Sequence, residues 1–175
     1  MPDASAEAAP IIVAAEFGAA DFAWLDGLRR AHFPPERNQI AAHLTLFHHL
    51  PPSLLAELDA RLKAATRRAK RPTASIGEPM LLGRGVALRV RSEALVRLRT
   101  DLAEAFDGLL TPQDRAGWRP HVTIQNKVEP HEARALHAAL LADLGIARPL
   151  VVTGIAAHRY RGGPWEPIAR YRFAG

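Results

Sequence analysis

The chain has 175 residues, 48% of them hydrophobic and 23% charged, the ordinary balance of a soluble globular protein long enough to bury a core. It contains no cysteine, which excludes disulfides and thiolate metal centres, and no apolar run approaches the roughly 20 residues that cross a bilayer. The net charge of +5 rests on 20 Arg against 3 Lys. Arginine suits bidentate phosphate contacts, a GC-rich coding bias accounts for the same enrichment, and charge alone does not choose between them. The N-terminus lacks the basic and long apolar regions of a signal peptide, so a cytoplasmic protein is the default expectation.

Residues 1–10 are small and polar and read as the frayed end of a single two-lobed domain spanning 1–175. Ile11–Phe17 reads as a first strand. Asp21 is placed to cap a helix running to about Phe33, with Phe22, Leu25 and Leu28 on one face. A proline-led loop at 34–38 precedes a strand at 42–50, which Pro51-Pro52 stops. Ser53 then caps a helix through about Ala69, whose apolar stripe is Leu54, Leu55, Leu58, Leu62 and Ala65. Arg67, Arg68, Lys70 and Arg71 complement the dipole at its C-terminal end.

Residues 72–82 and 86–91 read as strands joined near Gly83-Arg84-Gly85. A helix from Ser92 to about Leu110 aligns Leu95, Leu98, Leu102, Phe106 and Leu109. Residues 111–118 read as a loop, and 120–128 as a strand. Pro130 opens a helix to about Leu144. Strands at 150–159 and 166–173 close the chain around Gly162-Gly163-Pro164.

Parts of the sequence occur twice. Arg71-Pro72, Gly77 and Arg84-Gly85 recur 77 residues later as Arg148-Pro149, Gly154 and Arg161-Gly162. His43-Leu44-Thr45-Leu46 recurs 78 residues later as His121-Val122-Thr123-Ile124. Each half reads strand, helix, His-Thr strand, helix, strand hairpin, the pattern of an internal duplication. The expectation is an α+β fold in which a pseudo-twofold axis relates the two His-x-Thr-x strands.

Each copy alternates polar and apolar residues with the period of a half-buried strand, so His and Thr share one face. Brought together, two imidazoles can divide acid and base roles near neutral pH. One takes a proton from an attacking hydroxyl while the other protonates a leaving oxygen. The hydroxyls of Thr45 and Thr123 could hold the non-bridging oxygens of a phosphate between them. His43, His121, Thr45 and Thr123 are therefore the candidate catalytic residues.

Alternation nominates further cleft residues as substrate-binding candidates. Phe47 continues the face of His43 and Thr45 and could stack on a base. Gln125 and Lys127 continue the face of His121 and Thr123, and Arg89 and Arg91 lie opposite the apolar side of their strand. Trp118 and Trp165 sit beside turns, either as packing lids or as stacking platforms. His48 and His49 suggest a metal with His43, but no carboxylate is close in sequence and no His-Glu-x-x-His occurs, so no metal or other cofactor is expected. His32, His131, His137 and His158 carry no assigned role. The absence of a phosphate-binding glycine loop argues against an ATP-dependent ligase.

HLTL and HVTI match the paired His-x-Thr-x motifs of the two-histidine phosphoesterase superfamily. With Pro120 and the duplicated layout, the whole chain resembles its branch of 2′-5′ RNA ligase-like, RNA 2′,3′-cyclic phosphodiesterase proteins. The resemblance implies a bilobal fold, with antiparallel sheets around a central cleft and helices packed outside. It also implies metal-independent opening of a 2′,3′-cyclic phosphate to a 2′-phosphate, with reversible 2′-5′ joining in some members. By the same resemblance His43 is the general base and His121 the general acid, with Thr45 and Thr123 holding the phosphate. The run HVTIQNKV departs from the HVTLAR pattern of that branch: Asn126 stands in the Arg slot and Lys127 follows it. The expected partners are RNA ends or small cyclic nucleotides, with no membrane, and the chain is expected to be a monomer. An ADP-ribose cyclic phosphate as substrate and a non-catalytic RNA-binding module are the alternatives.

Overall fold

The computed structural model describes residues 8–144 and 147–175. The elements are β1 (Ile11–Phe17), α1 (Ala19–His32), β2 (Leu44–Leu50), α2 (Leu55–Thr66), β3 (Ser75–Leu81), β4 (Val86–Arg91), α3 (Glu93–Ala105), α4 (Pro112–Arg115), β5 (His121–Gln125), α5 (Pro130–Leu144), β6 (Arg148–Pro149), β7 (Val152–Arg159) and β8 (Glu166–Arg172). They form two four-stranded sheets, ordered β2-β1-β7-β8 and β5-β4-β3-β6, with every pairing antiparallel. The fold is thus α+β.

The two sheet orders correspond strand for strand over three positions. Each motif strand, β2 or β5, lies at an edge and pairs with the strand before it in the chain. The third place goes to a strand of the other half: β7 beside β1, and β3 beside β4. This exchange ties the halves into one hydrophobic cluster that includes Ile11, Leu44, Leu46, Leu88, Val122, Ile124 and Ile155. Burial of such aliphatic side chains contributes roughly 1.5–3 kcal/mol each.

Local signals hold at some ends and fail at others. Ser92 caps α3, its Oγ accepting from the Leu95 N–H at 3.3 Å. Asp21 does not cap α1, which starts two residues earlier at Ala19. Its carboxylate instead accepts from the Val151 N–H at 2.7 Å and pairs with Arg148, tying the first helix to the last third of the chain. Ser53 is not a cap either, because a 3₁₀ turn at Pro52–Leu54 precedes α2. The expected loop at 111–118 contains α4, opened by Thr111, whose Oγ1 accepts from the Asp114 N–H. Of the expected tail, residues 1–7 lie outside the described residues, Ala9 is buried, and the Pro10 carbonyl accepts from the Tyr160 N–H at 3.1 Å. Among the described residues no helix is long and apolar enough to cross a membrane.

Candidate active site

Both motif strands carry a β-bulge one residue after the threonine. In the first sheet Ala14 pairs with Thr45 but its neighbour Val13 pairs with Phe47, so Leu46 is the extra residue. In the second, Ala87 pairs with Thr123 and Val86 with Gln125, so Ile124 is extra. A bulge puts two consecutive residues on one side and shifts the alternation by one. This corrects two expectations. Phe47 has no exposed surface and belongs to the core, and Gln125 is buried at 6% exposure. Neither lines the cleft. His48 joins His43 and Thr45 on the cavity face of β2 in place of Phe47. The bulge of β5 also brings its backbone against Gly85, where a Cβ would stand 2.0 Å from the Gln125 carbonyl oxygen.

As edge strands, β2 and β5 expose carbonyls that no ladder satisfies, and in a closed interior each must find a donor. Side chains supply them. Arg29 on α1 donates to the Thr123 carbonyl at 2.9 Å and to Asn38 Oδ1 at 2.8 Å. Arg99 on α3 donates to the carbonyls of Leu46 and Asp114, and the Trp118 indole N–H to that of Thr45 at 3.0 Å. Each buried guanidinium also lies over a ring, Arg29 on Phe33 at 4.2 Å and Arg99 on Phe47 at 4.5 Å. A helix from each half thus clasps the motif strand of the other.

His43, Thr45, His121 and Thr123 line one cavity of about 280 Å³, together with His48, Arg99, Gln113, Trp118, Arg119 and Trp165. The two histidines are held alike. His43 Nδ1 lies 2.8 Å from the Ala41 carbonyl and His121 Nδ1 2.6 Å from the Arg119 carbonyl. A carbonyl only accepts, so each Nδ1 carries a proton and each Nε2 is left for proton exchange. Trp165 packs on His43, with ring centroids 4.6 Å apart. Burial pushes the His43 pKa down to about 4; the Ala41 carbonyl opposes this, and the positive field of Arg29, His48 and His121 adds to it. His43 is therefore neutral at pH 7, the state a general base requires.

Three other nominated residues lie apart from this cavity. Arg89 stands beside His121 in the β4–β5 ladder, but its Nε is 2.9 Å from Glu78, which also holds Arg91. Lys127 is exposed in a left-handed conformation (φ 61°), its N–H bonded to the Asn126 side chain. Both tryptophans do line the cavity.

Sequence reasoning misses Arg29, Arg99, Arg119 and Asp114, and considers His48 only as a metal ligand. A signal existed for the first two: each follows a buried leucine by four residues, Leu25 and Leu95, and so falls on the apolar face of its helix. None existed for Asp114, which is fully buried and lies 3.2 Å from Nδ1 of His48, 66 residues away. Its oxygens also accept from the backbone N–H groups of His48 and His49, both at 2.8 Å. Burial would raise this carboxyl, but the bonds from His48 and His49 hold it below the ordinary range. A carboxylate thus approaches His48 from a segment distant in sequence, and among the described residues no group of three potential metal ligands occurs.

An antiparallel α+β scaffold thus presents two imidazoles and two threonines to one cavity. The family description of the 2′-5′ RNA ligase superfamily matches residues 17–164, and the chain belongs to that superfamily. No curated protein matches it. Among solved structures, TT0787 of Thermus thermophilus aligns at a TM-score of 0.63 and 16% identity, over 95% of this chain and 98% of that one. E. coli LigT complexed with 3′-AMP aligns at 0.59 and 22% identity, over 96% and 99%. LigT complexed with NADP+ aligns at 0.60 with the same identity and coverage. At these identities the shared property is the fold.

Proposed function

We propose that the protein is an RNA 2′,3′-cyclic phosphodiesterase that opens the cyclic phosphate to a 2′-phosphate, using two histidines and no metal. The observation that carries this is the matched fixing of His43 and His121 in one cavity, each with Nδ1 tied to a backbone carbonyl and Nε2 free. Neutral His43 takes a proton from water as its oxygen attacks phosphorus. The P–O3′ bond breaks, and His121 as imidazolium returns a proton to O3′. Thr45 and Thr123 donate to the non-bridging oxygens where negative charge develops. One water is consumed, and a 2′-phosphate and a 3′-hydroxyl result. A 5′-hydroxyl in place of water gives a 2′-5′ linkage by the same steps, and the reverse cleaves it. Nucleotide complexes of the fold neighbour LigT accord with a ligand of this class.

The test is incubation with adenosine 2′,3′-cyclic phosphate in EDTA, with products separated by chromatography. Conversion to the 2′-phosphate alone is expected. Formation of the 3′-phosphate, or salt-sensitive RNA binding without any turnover, contradicts the proposal.

A further inference from the structure

The cavity has two unlike walls. Trp165 forms one, against His43. Opposite in character is the stretch from α4 to β5 together with His48, whose polar lining groups are Gln113, Arg119 and His48 itself. Most other polar groups here are committed. Arg99 serves the Leu46 and Asp114 carbonyls, and the Trp118 N–H serves Thr45. Arg119 is not: it is exposed, only its backbone carbonyl is used, and its guanidinium has no partner among the described residues.

His48 is held from outside its own strand, by Asp114. The bulge at Leu46 turns it to the catalytic face. Asp114 fixes its ring with the proton on Nδ1, leaving Nε2 as the free atom. Among the described residues no carboxylate lines the cavity, so its ionisable lining consists of arginine and imidazole alone. A volume of about 280 Å³ is at the low end for ligand sites, enough for about one nucleotide unit. Exposed Arg119 is placed to meet what extends past that unit. A guanidinium offers paired N–H donors that match phosphate oxygens.

We propose that His48 and Arg119 form a second anion subsite, which takes a phosphate group of the substrate other than the one being opened. The inference rests on the phosphodiesterase reading and narrows its substrates to nucleotides bearing two phosphates. The second phosphate comes either from the internucleotide diester of an RNA end or from the 5′-phosphate of a small nucleotide.

The experiment compares three substrates: adenosine 2′,3′-cyclic phosphate, its 5′-phosphorylated form, and the dinucleotide ApA ending in a 2′,3′-cyclic phosphate. Wild type is set beside Arg119→Gln, Arg119→Lys and His48→Asn, with circular dichroism confirming that each variant is folded. A second phosphate should raise kcat/KM at least tenfold, mainly through KM. Arg119→Gln should cost the two-phosphate substrates at least tenfold more than the one-phosphate substrate, and Arg119→Lys should recover part of that loss. Preference for the dinucleotide assigns the phosphate to RNA, and preference for the 5′-phosphorylated nucleotide assigns it to a small molecule. Equal losses on all three substrates, or no advantage from a second phosphate in wild type, would overturn the subsite. Calorimetry with adenosine 2′-phosphate and adenosine 2′,5′-bisphosphate separates this from the parent reading. Tighter bisphosphate binding that Arg119→Gln abolishes, with no turnover of any cyclic phosphate, would leave the subsite standing and remove the phosphodiesterase.

Discussion

At the scale of single residues, the proposed chemistry turns on the environment of His43. A general base must be unprotonated, so its active fraction grows as pH rises through its pKa. With that pKa down at about 4, the acid limb of kcat/KM should fall near pH 4, not near the ordinary histidine value of about 6.5. A pH–rate profile of the free enzyme measures this directly, and a limb at pH 6–7 would refute the burial argument. Trp165 is part of the cause, because its ring covers the imidazole. Trp165→Ala should let water reach His43 and move the acid limb upward by about one unit. An unmoved limb would mean that the surrounding strands, not the indole, keep the imidazole dry.

At the scale of elements, the bulges after Thr45 and Thr123 and the side chains that answer them hold the site together. Arg29→Ala removes the donor to the Thr123 carbonyl and a ring contact. Urea denaturation should show a loss of about 2–4 kcal/mol, since a buried acceptor is left unpaired. Asp114→Ala orphans two backbone N–H groups at once, those of His48 and His49, and should cost a similar amount. Unchanged midpoints in both variants would show that water replaces these partners without cost. The bulges also explain what could and could not be read in advance. Alternation places His43 and Thr45 on one face correctly, but an extra residue in a strand changes no composition and breaks no run. Strict period-2 counting therefore carries Phe47 and Gln125 into the cleft, when both are buried.

At the scale of the whole molecule, the duplicated order of elements is legible because each long helix has its own apolar stripe and each motif strand its own alternation. The exchange of β3 and β7 between sheets is not, because pairing across halves leaves no local mark. The same limit hides Asp114 beside His48. It also sends Arg89 and Arg91 to Glu78 on a neighbouring strand and not to the cavity. Local pattern thus identifies the two motif strands, whereas the groups that brace them and the proposed second subsite depend on contacts between distant segments.

In the proposed reaction an imidazole from each half acts with the other as one proton-transfer unit. Steady-state turnover of a nucleoside 2′,3′-cyclic phosphate by His43→Ala, His121→Ala and the double variant tests it most directly. Each single change should lower kcat by about 10²–10⁴-fold, and the double variant should fall little below the worse single, because either histidine accomplishes little without its partner. A double variant that opens the cyclic phosphate at the wild-type rate would rule out the two-histidine mechanism.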